Sequence, residues 1–142
     1  MVCLPRDRAG IDLDDERLLS IGRDVLKQEA SELLRVADEM GQEIVKAARV
    51  IHCSKGRLVV IGMGKSGLIG RKIAATLASL GTPSFFLHAA EASHGDLGMV
   101  CREDVGLFIS NSGKTKEVVA LLPFFRRLGA PVISITGGIS SP

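Results

Sequence analysis

Residues 62–67, Gly-Met-Gly-Lys-Ser-Gly, set a cation and a hydroxyl on a glycine-rich turn directly behind the apolar run of residues 58–61. A turn from strand to helix presents several backbone N–H groups at the helix start, and that suits an anion. A tight turn accounts for the glycines but not for Lys65 at the ligand-facing end. A second set lies in ISNSGKTKE, residues 109–117, where Ser110, Ser112 and Thr115 surround Gly113. One hydroxyl suffices to cap a helix. Three of them, with Ser66 on the neighbouring loop, read as a neutral cradle for a phosphate monoester. A third set, HAAEASHGDLGM over residues 88–99, holds His88, Glu91, His94 and Asp96 in a connection longer than the minimum. Ligand or metal binding and plain solvation both remain open for its histidines.

These sets need elements that bring their loops together. LVVIG (58–62) reads as a buried strand, and residues 68–81 have helical periodicity with Gly81 as the stop. PSFFLH (83–88), DVGLFIS (104–110) and PVISIT (131–136) read as three further strands. Residues 116–129 are helical, with Pro123 inside predicting a kink or break. This alternation predicts an α/β fold: a parallel sheet with right-handed crossovers and helices on both faces. Ligands of such sheets sit at the carboxyl ends of the strands, where loops 62–67, 88–98 and 110–115 all lie. Upstream, a charged leader (1–12) precedes a helix from Asp14 to about Glu39. Gly41 breaks it, and a second helix runs to about Cys53. The expected organisation is a leader and helical segment over 1–54 and an α/β domain over 55–142.

Composition narrows the function classes. The 142 residues, 46% hydrophobic and 24% charged, suit one globular domain. A net charge of +2 without a basic block, and five Phe with neither Trp nor Tyr, argue against nucleic acid. Cys3, Cys53 and Cys101 form no CxxC pair, so reduced thiols are expected instead of a disulfide framework or zinc knuckle. With no apolar leader and no 18-residue apolar run, a cytoplasmic chain without membrane contact is expected. Residues 62–67 satisfy GxGxxG, yet the second strand closes as FFLHAA, without the acid that holds a ribose. A P-loop ending at Lys65-Ser66 needs glycine where Val59 stands. Neither NAD nor ATP is expected to bind.

GMGKSGLIGRKIAATLASLGTPSFFLH, EASHGDLGMV and ISNSGKTKEV together resemble the sugar isomerase (SIS) domain of arabinose 5-phosphate isomerases, from about Gly56 to Gly137. The resemblance implies a three-layer αβα sandwich, flavodoxin-like, around a parallel sheet, and assembly as a homo-oligomer, dimer or tetramer; together with the alternation of strands and helices it implies the spatial strand order 2-1-3-4. It implies interconversion of ribulose 5-phosphate and arabinose 5-phosphate, the step toward the octulosonic acid of lipopolysaccharide or capsule. By motif, Ser66, Ser110, Asn111, Ser112 and Thr115 fall where the family holds the substrate phosphate. Lys65 and Glu117 fall on catalytic positions, while Gly81, Thr82 and His88 fall on substrate-contacting ones. His94 falls where these enzymes bind zinc as an inhibitor; no cofactor is required. Aldose–ketose exchange through an enediol needs a base and a cation near the developing oxyanion, and Glu117 and Lys65 suit those roles.

The chain departs from the family in two respects. Lys114 stands where the family usually carries an acid after NSG; it either strengthens phosphate binding or pairs with Glu117. The fifth strand, the CBS domains and a downstream catalytic glutamate and histidine have no counterpart in these residues, so a C-terminally truncated domain is expected. Two functions follow as expectations: an isomerase, or a catalytically silent phosphosugar-binding module or sensor.

Overall fold

The computed structural model describes residues 14–138. The leader expected over 1–12 and the ending beyond Gly138 lie outside the described residues. Two compact units part between Gln42 and Glu43.

The first unit is α1 (Asp15–Glu39). Asp14 caps it, its carboxylate accepting from the Arg17 N–H at 2.7 Å, and Asp15 and Glu16 place negative charge at the positive end. On its exposed surface Arg35 bridges Glu32 at 2.9 Å and Glu39 at 2.7 Å.

The second unit begins at Glu43, within the first turn of α2 (Gln42–Cys53), which follows the break at Gly41. β1 (Leu58–Gly62), α3 (Gly64–Ser79) and β2 (Ser84–His88) follow. Next come α4 (Ala89–Ala92), a 3-10 turn (Asp96–Met99) and β3 (Val105–Ile109), then α5 (Lys116–Val119), α6 (Leu122–Leu128) and β4 (Val132–Ile135). The four strands pair in parallel in the order β2-β1-β3-β4, the order expected from the alternation together with the family resemblance.

Strand pleating divides the core into two halves. Leu58, Val60, Val105, Leu107 and Ile109 face one way, against Ala74 and Leu77 of α3 and Ile51 of α2. Val59, Ile61 and Phe108 face the other, against Val118, Leu121 and Phe125. Helices therefore cover both faces, and the unit is a three-layer αβα sandwich. Gly106 makes room for its largest side chain: a Cβ there would stand 2.7 Å from Phe125 Cε1. Phe125 is fully buried and meets Phe108 edge-on, with centroids 5.1 Å apart.

At the amino ends of the strands, Arg57 and Asp104 form a pair not visible in the sequence. The Asp104 carboxylate is buried and accepts from Arg57 Nη2 at 2.9 Å, from the Arg57 backbone N–H at 2.7 Å and from the Cys101 N–H at 2.9 Å. Burial pushes its acidity toward the neutral form, but the hydrogen bonds from Arg57 and Cys101 outweigh that and leave its pKa below the ordinary carboxylate value.

Two local expectations are corrected, and a third holds. The helix expected from residue 68 starts at Gly64, so Lys65 and Ser66 occupy its first turn. Gly62 permits this, because a Cβ there would meet the Gly67 N and the Ser66 carbonyl at 3.3 Å. Residues 88–99, expected as a loop, fold into α4 and the 3-10 turn, tied down by Ala89 and Ala92 in the core. The helix over 116–129 is broken as Pro123 requires; Pro123 sits in the first turn of α6, where its missing N–H costs nothing.

Candidate functional site

Register places the carboxyl ends of three strands level with one another. Gly62 pairs with His88, and Ile61 with Phe108, so Ser110 emerges one residue beyond the end of β3. Lys65 and Ser66 follow β1, His88 closes β2, and residues 110–115 follow β3. The sheet thus brings Lys65, Ser66, His88, Ser110, Asn111, Ser112, Thr115 and Glu117 to one edge.

At the start of α3 the N-cap position is Met63, which offers no side-chain cap. Helix geometry leaves the first N–H groups, those of Gly64, Lys65 and Ser66, without intrahelical acceptors. Ser66 is half-buried and Lys65 exposed, and Lys65 makes no ion pair with any described residue.

The loop after β3 is more closely specified. Ser110 is buried, and its Oγ lies 2.9 Å from Thr115 Oγ1. Thr115 occupies the N-cap position of α5 but makes no capping bond, because its hydroxyl is turned to Ser110. Capping is therefore not what this hydroxyl does. Gly113 reverses the chain at φ +65, and the Lys114 N–H donates to Ser112 Oγ at 3.2 Å. The loop is held from β4's side as well: the Ser110 N–H donates to the Ile135 carbonyl at 3.1 Å and the Gly137 N–H to the Asn111 carbonyl at 3.0 Å. A cavity of ≈ 130 Å³ lies beneath it, with Ser110, Gly113 and Thr136 among its walls. Glu117 is exposed in the first turn of α5.

His88 supplies a further polar group. Its Nδ1 is buried without a hydrogen-bond partner among the described residues, and its ring stands edge-on to Phe86 at 6.4 Å. An unmet buried polar atom costs about 1–3 kcal/mol, so a ligand group that met it would bind the more tightly.

Two groups of residues singled out in the sequence lie elsewhere. Gly81 and Thr82 join α3 to β2, at the amino ends of the strands, and line a separate groove of ≈ 440 Å³ with Ile51, His52 and Leu77. Within one chain they do not meet the residues at the carboxyl edge. His94 is exposed beyond α4, its backbone N–H bonded to the Glu91 carbonyl at 2.9 Å. Among the described residues no three His, Cys, Asp or Glu side chains come together to hold a metal, so His94 has no partners for zinc here. No helix among the described residues is long and apolar enough to cross a membrane.

Comparison with known proteins agrees with this fold. The SIS domain model matches residues 50–142. Over 103 residues the chain is 60% identical to arabinose 5-phosphate isomerase KdsD of Pseudomonas aeruginosa, a match spanning 72% of this chain and 32% of that protein. It is 50% identical over 128 residues to arabinose 5-phosphate isomerase GutQ of Escherichia coli K12, spanning 89% of this chain and 40% of that one. The chain thus spans well under half the length of these curated relatives. A solved E. coli CFT073 protein in complex with A5P superposes with TM-score 0.86 at 43% identity, covering 91% of this chain and 69% of that chain. A putative sugar-phosphate isomerase from Listeria monocytogenes superposes equally well, TM-score 0.86, at 29% identity, over 91% of this chain and 68% of that one.

Proposed function

Because the chain belongs to the SIS-domain family, we propose that its carboxyl edge binds a five-carbon phosphosugar and interconverts D-ribulose 5-phosphate and D-arabinose 5-phosphate. The observation that carries this reading is the Ser110–Thr115 hydroxyl pair, turned away from helix capping on a loop level with the uncapped start of α3. With Ser66, Asn111 and Ser112, these groups are the phosphate cradle. The A5P complex of the E. coli CFT073 relative supports the ligand class.

In this reading Glu117 removes a C1 proton from the ketose, and the resulting enediol receives a proton at C2 while hydrogen passes from O1 to O2. No oxidant or reductant is needed. Lys65 offsets the charge that develops on the enediolate oxygen and on the phosphate. His88 Nδ1 meets a sugar hydroxyl. Gly81 and Thr82 reach the substrate only if a neighbouring copy brings its amino edge to this site, which agrees with the homo-oligomer that the reading includes. An inhibitory zinc at His94 requires ligands from outside the described residues in the same way. The reading assigns the enzyme to a cytoplasmic role in supplying the octulosonic acid of lipopolysaccharide or capsule.

The test is conversion of ribulose 5-phosphate by the purified chain, with Glu117→Gln and Lys65→Met alongside. Turnover lost in Glu117→Gln with binding kept supports the assignment. Binding by the unmodified chain without turnover leaves a phosphosugar-binding module, and turnover indifferent to Glu117→Gln rejects that residue as the base.

A further inference from the structure

Lys114 stands inside the cradle's own turn, between Ser112 and Thr115. Its backbone is fixed there: its N–H donates to Ser112 Oγ at 3.2 Å, immediately after the reversal at Gly113, and the Ser110–Thr115 hydroxyl contact closes the turn on its other side. Its side chain is exposed, and no ion pair or hydrogen bond of its ammonium forms with any described residue. Glu117, three residues on, forms none either. Of the two roles open to this lysine, quenching Glu117 or serving the phosphate, the first is therefore not taken up. The hydroxyls beside it are uncharged and leave a bound phosphate dianion uncompensated, whereas a lysine stem rooted in the same turn is long enough to reach one.

We infer that Lys114 is a phosphate-binding residue of this chain, a second cation besides Lys65 that compensates the dianion and leaves Glu117 free to act as a base. The inference rests on the phosphosugar reading above. An exposed ammonium acts through a screened field, so its contribution is modest, dependent on salt and selective for the dianion over the monoanion.

The experiment is calorimetric titration of arabinose 5-phosphate at about 20 mM and about 500 mM salt, ionic strengths between which the screening length shortens several-fold. The full chain is compared with Lys114→Gln, Lys114→Arg, Ser112→Ala and Lys72→Gln, the last removing the same charge from an exposed position midway along α3. Expected for Lys114→Gln is a roughly two- to fivefold weaker Kd at low salt that converges on the unmodified value at high salt. Lys114→Arg and Lys72→Gln should bind as the unmodified chain does. An unchanged or tighter Kd in Lys114→Gln, or an equal loss in Lys72→Gln, overturns the inference while a loss in Ser112→Ala upholds the cradle. Unchanged binding in Ser112→Ala fails the phosphosugar reading instead.

Discussion

Ser110 Oγ and Thr115 Oγ1 stand 2.9 Å apart across the loop that follows β3, the first buried and the second half-buried. Thr115→Val keeps the shape of the side chain and removes the hydroxyl, leaving Ser110 Oγ without this partner. The expected cost is about 1–3 kcal/mol of stability, the penalty for an unsatisfied buried hydroxyl, measurable by urea denaturation. Affinity for a phosphosugar should fall as well. An unchanged midpoint would mean that the two hydroxyls do not depend on each other.

Gly106 carries the packing that fixes this loop's origin. A methyl group there would lie 2.7 Å from Phe125 Cε1 and 2.8 Å from Phe108 Cε2, closer than side-chain carbons approach. Gly106→Ala should destabilise the domain by about 1–3 kcal/mol through overpacking. Gly98→Ala, where nothing lies within 4 Å of an added Cβ, is the control and should change the denaturation midpoint much less.

Acid should weaken the domain through Asp104. Its pKa is held below the ordinary value: burial works against the charge, and the bonds from Arg57 and Cys101 more than compensate. A depressed carboxylate stabilises the fold above its unfolded pKa, about 3.9, and that contribution is lost as pH falls from there through the folded pKa. Asp104→Asn removes this dependence. Its stability at neutral pH should be lower by about 1–3 kcal/mol, a figure kept small because Arg57 is partly exposed. Its acid limb below about pH 4 should be flatter than that of the unmodified chain. Parallel acid limbs for the two proteins would contradict this.

Self-association is the outcome expected from α1. Leu19, Leu26, Leu33 and Met40 recur every seven residues, and all four are exposed in the single chain, Leu33 at 72%. Light scattering at micromolar concentration should give at least a dimer, and Leu26→Glu with Leu33→Glu should reduce the mass. A monomer in the unmodified chain would contradict the homo-oligomer.

The positions of all four strands were legible in the sequence because each strand is a short β-branched or aromatic run between turn residues, and their order because the motifs also resemble a known family. The start of α1 near Asp14 and the break near Pro123 were legible because both depend on local backbone chemistry. The start of α3 was not: glycine favours a turn by propensity, and here it serves close approach between Gly62 and Gly67 within a helix start. The Arg57–Asp104 pair was invisible because its partners lie 47 residues apart and meet only through strand pairing. That Ser66, Ser110, Ser112 and Thr115 come to one edge of the sheet was legible from their place after strands. The separation of Gly81 and Thr82 from these residues follows from the same alternation, since a helix-to-strand connection falls on the opposite edge of a parallel sheet.

Titration of the purified chain with arabinose 5-phosphate tests phosphosugar binding at the carboxyl edge most directly. Saturable binding should appear for the unmodified chain and be weakened at least about tenfold in Ser112→Ala combined with Thr115→Val, two polar contacts worth about 1 kcal/mol each. Arabinose without phosphate should not bind. Equal affinity for arabinose 5-phosphate in the unmodified chain and in the double variant would contradict the account.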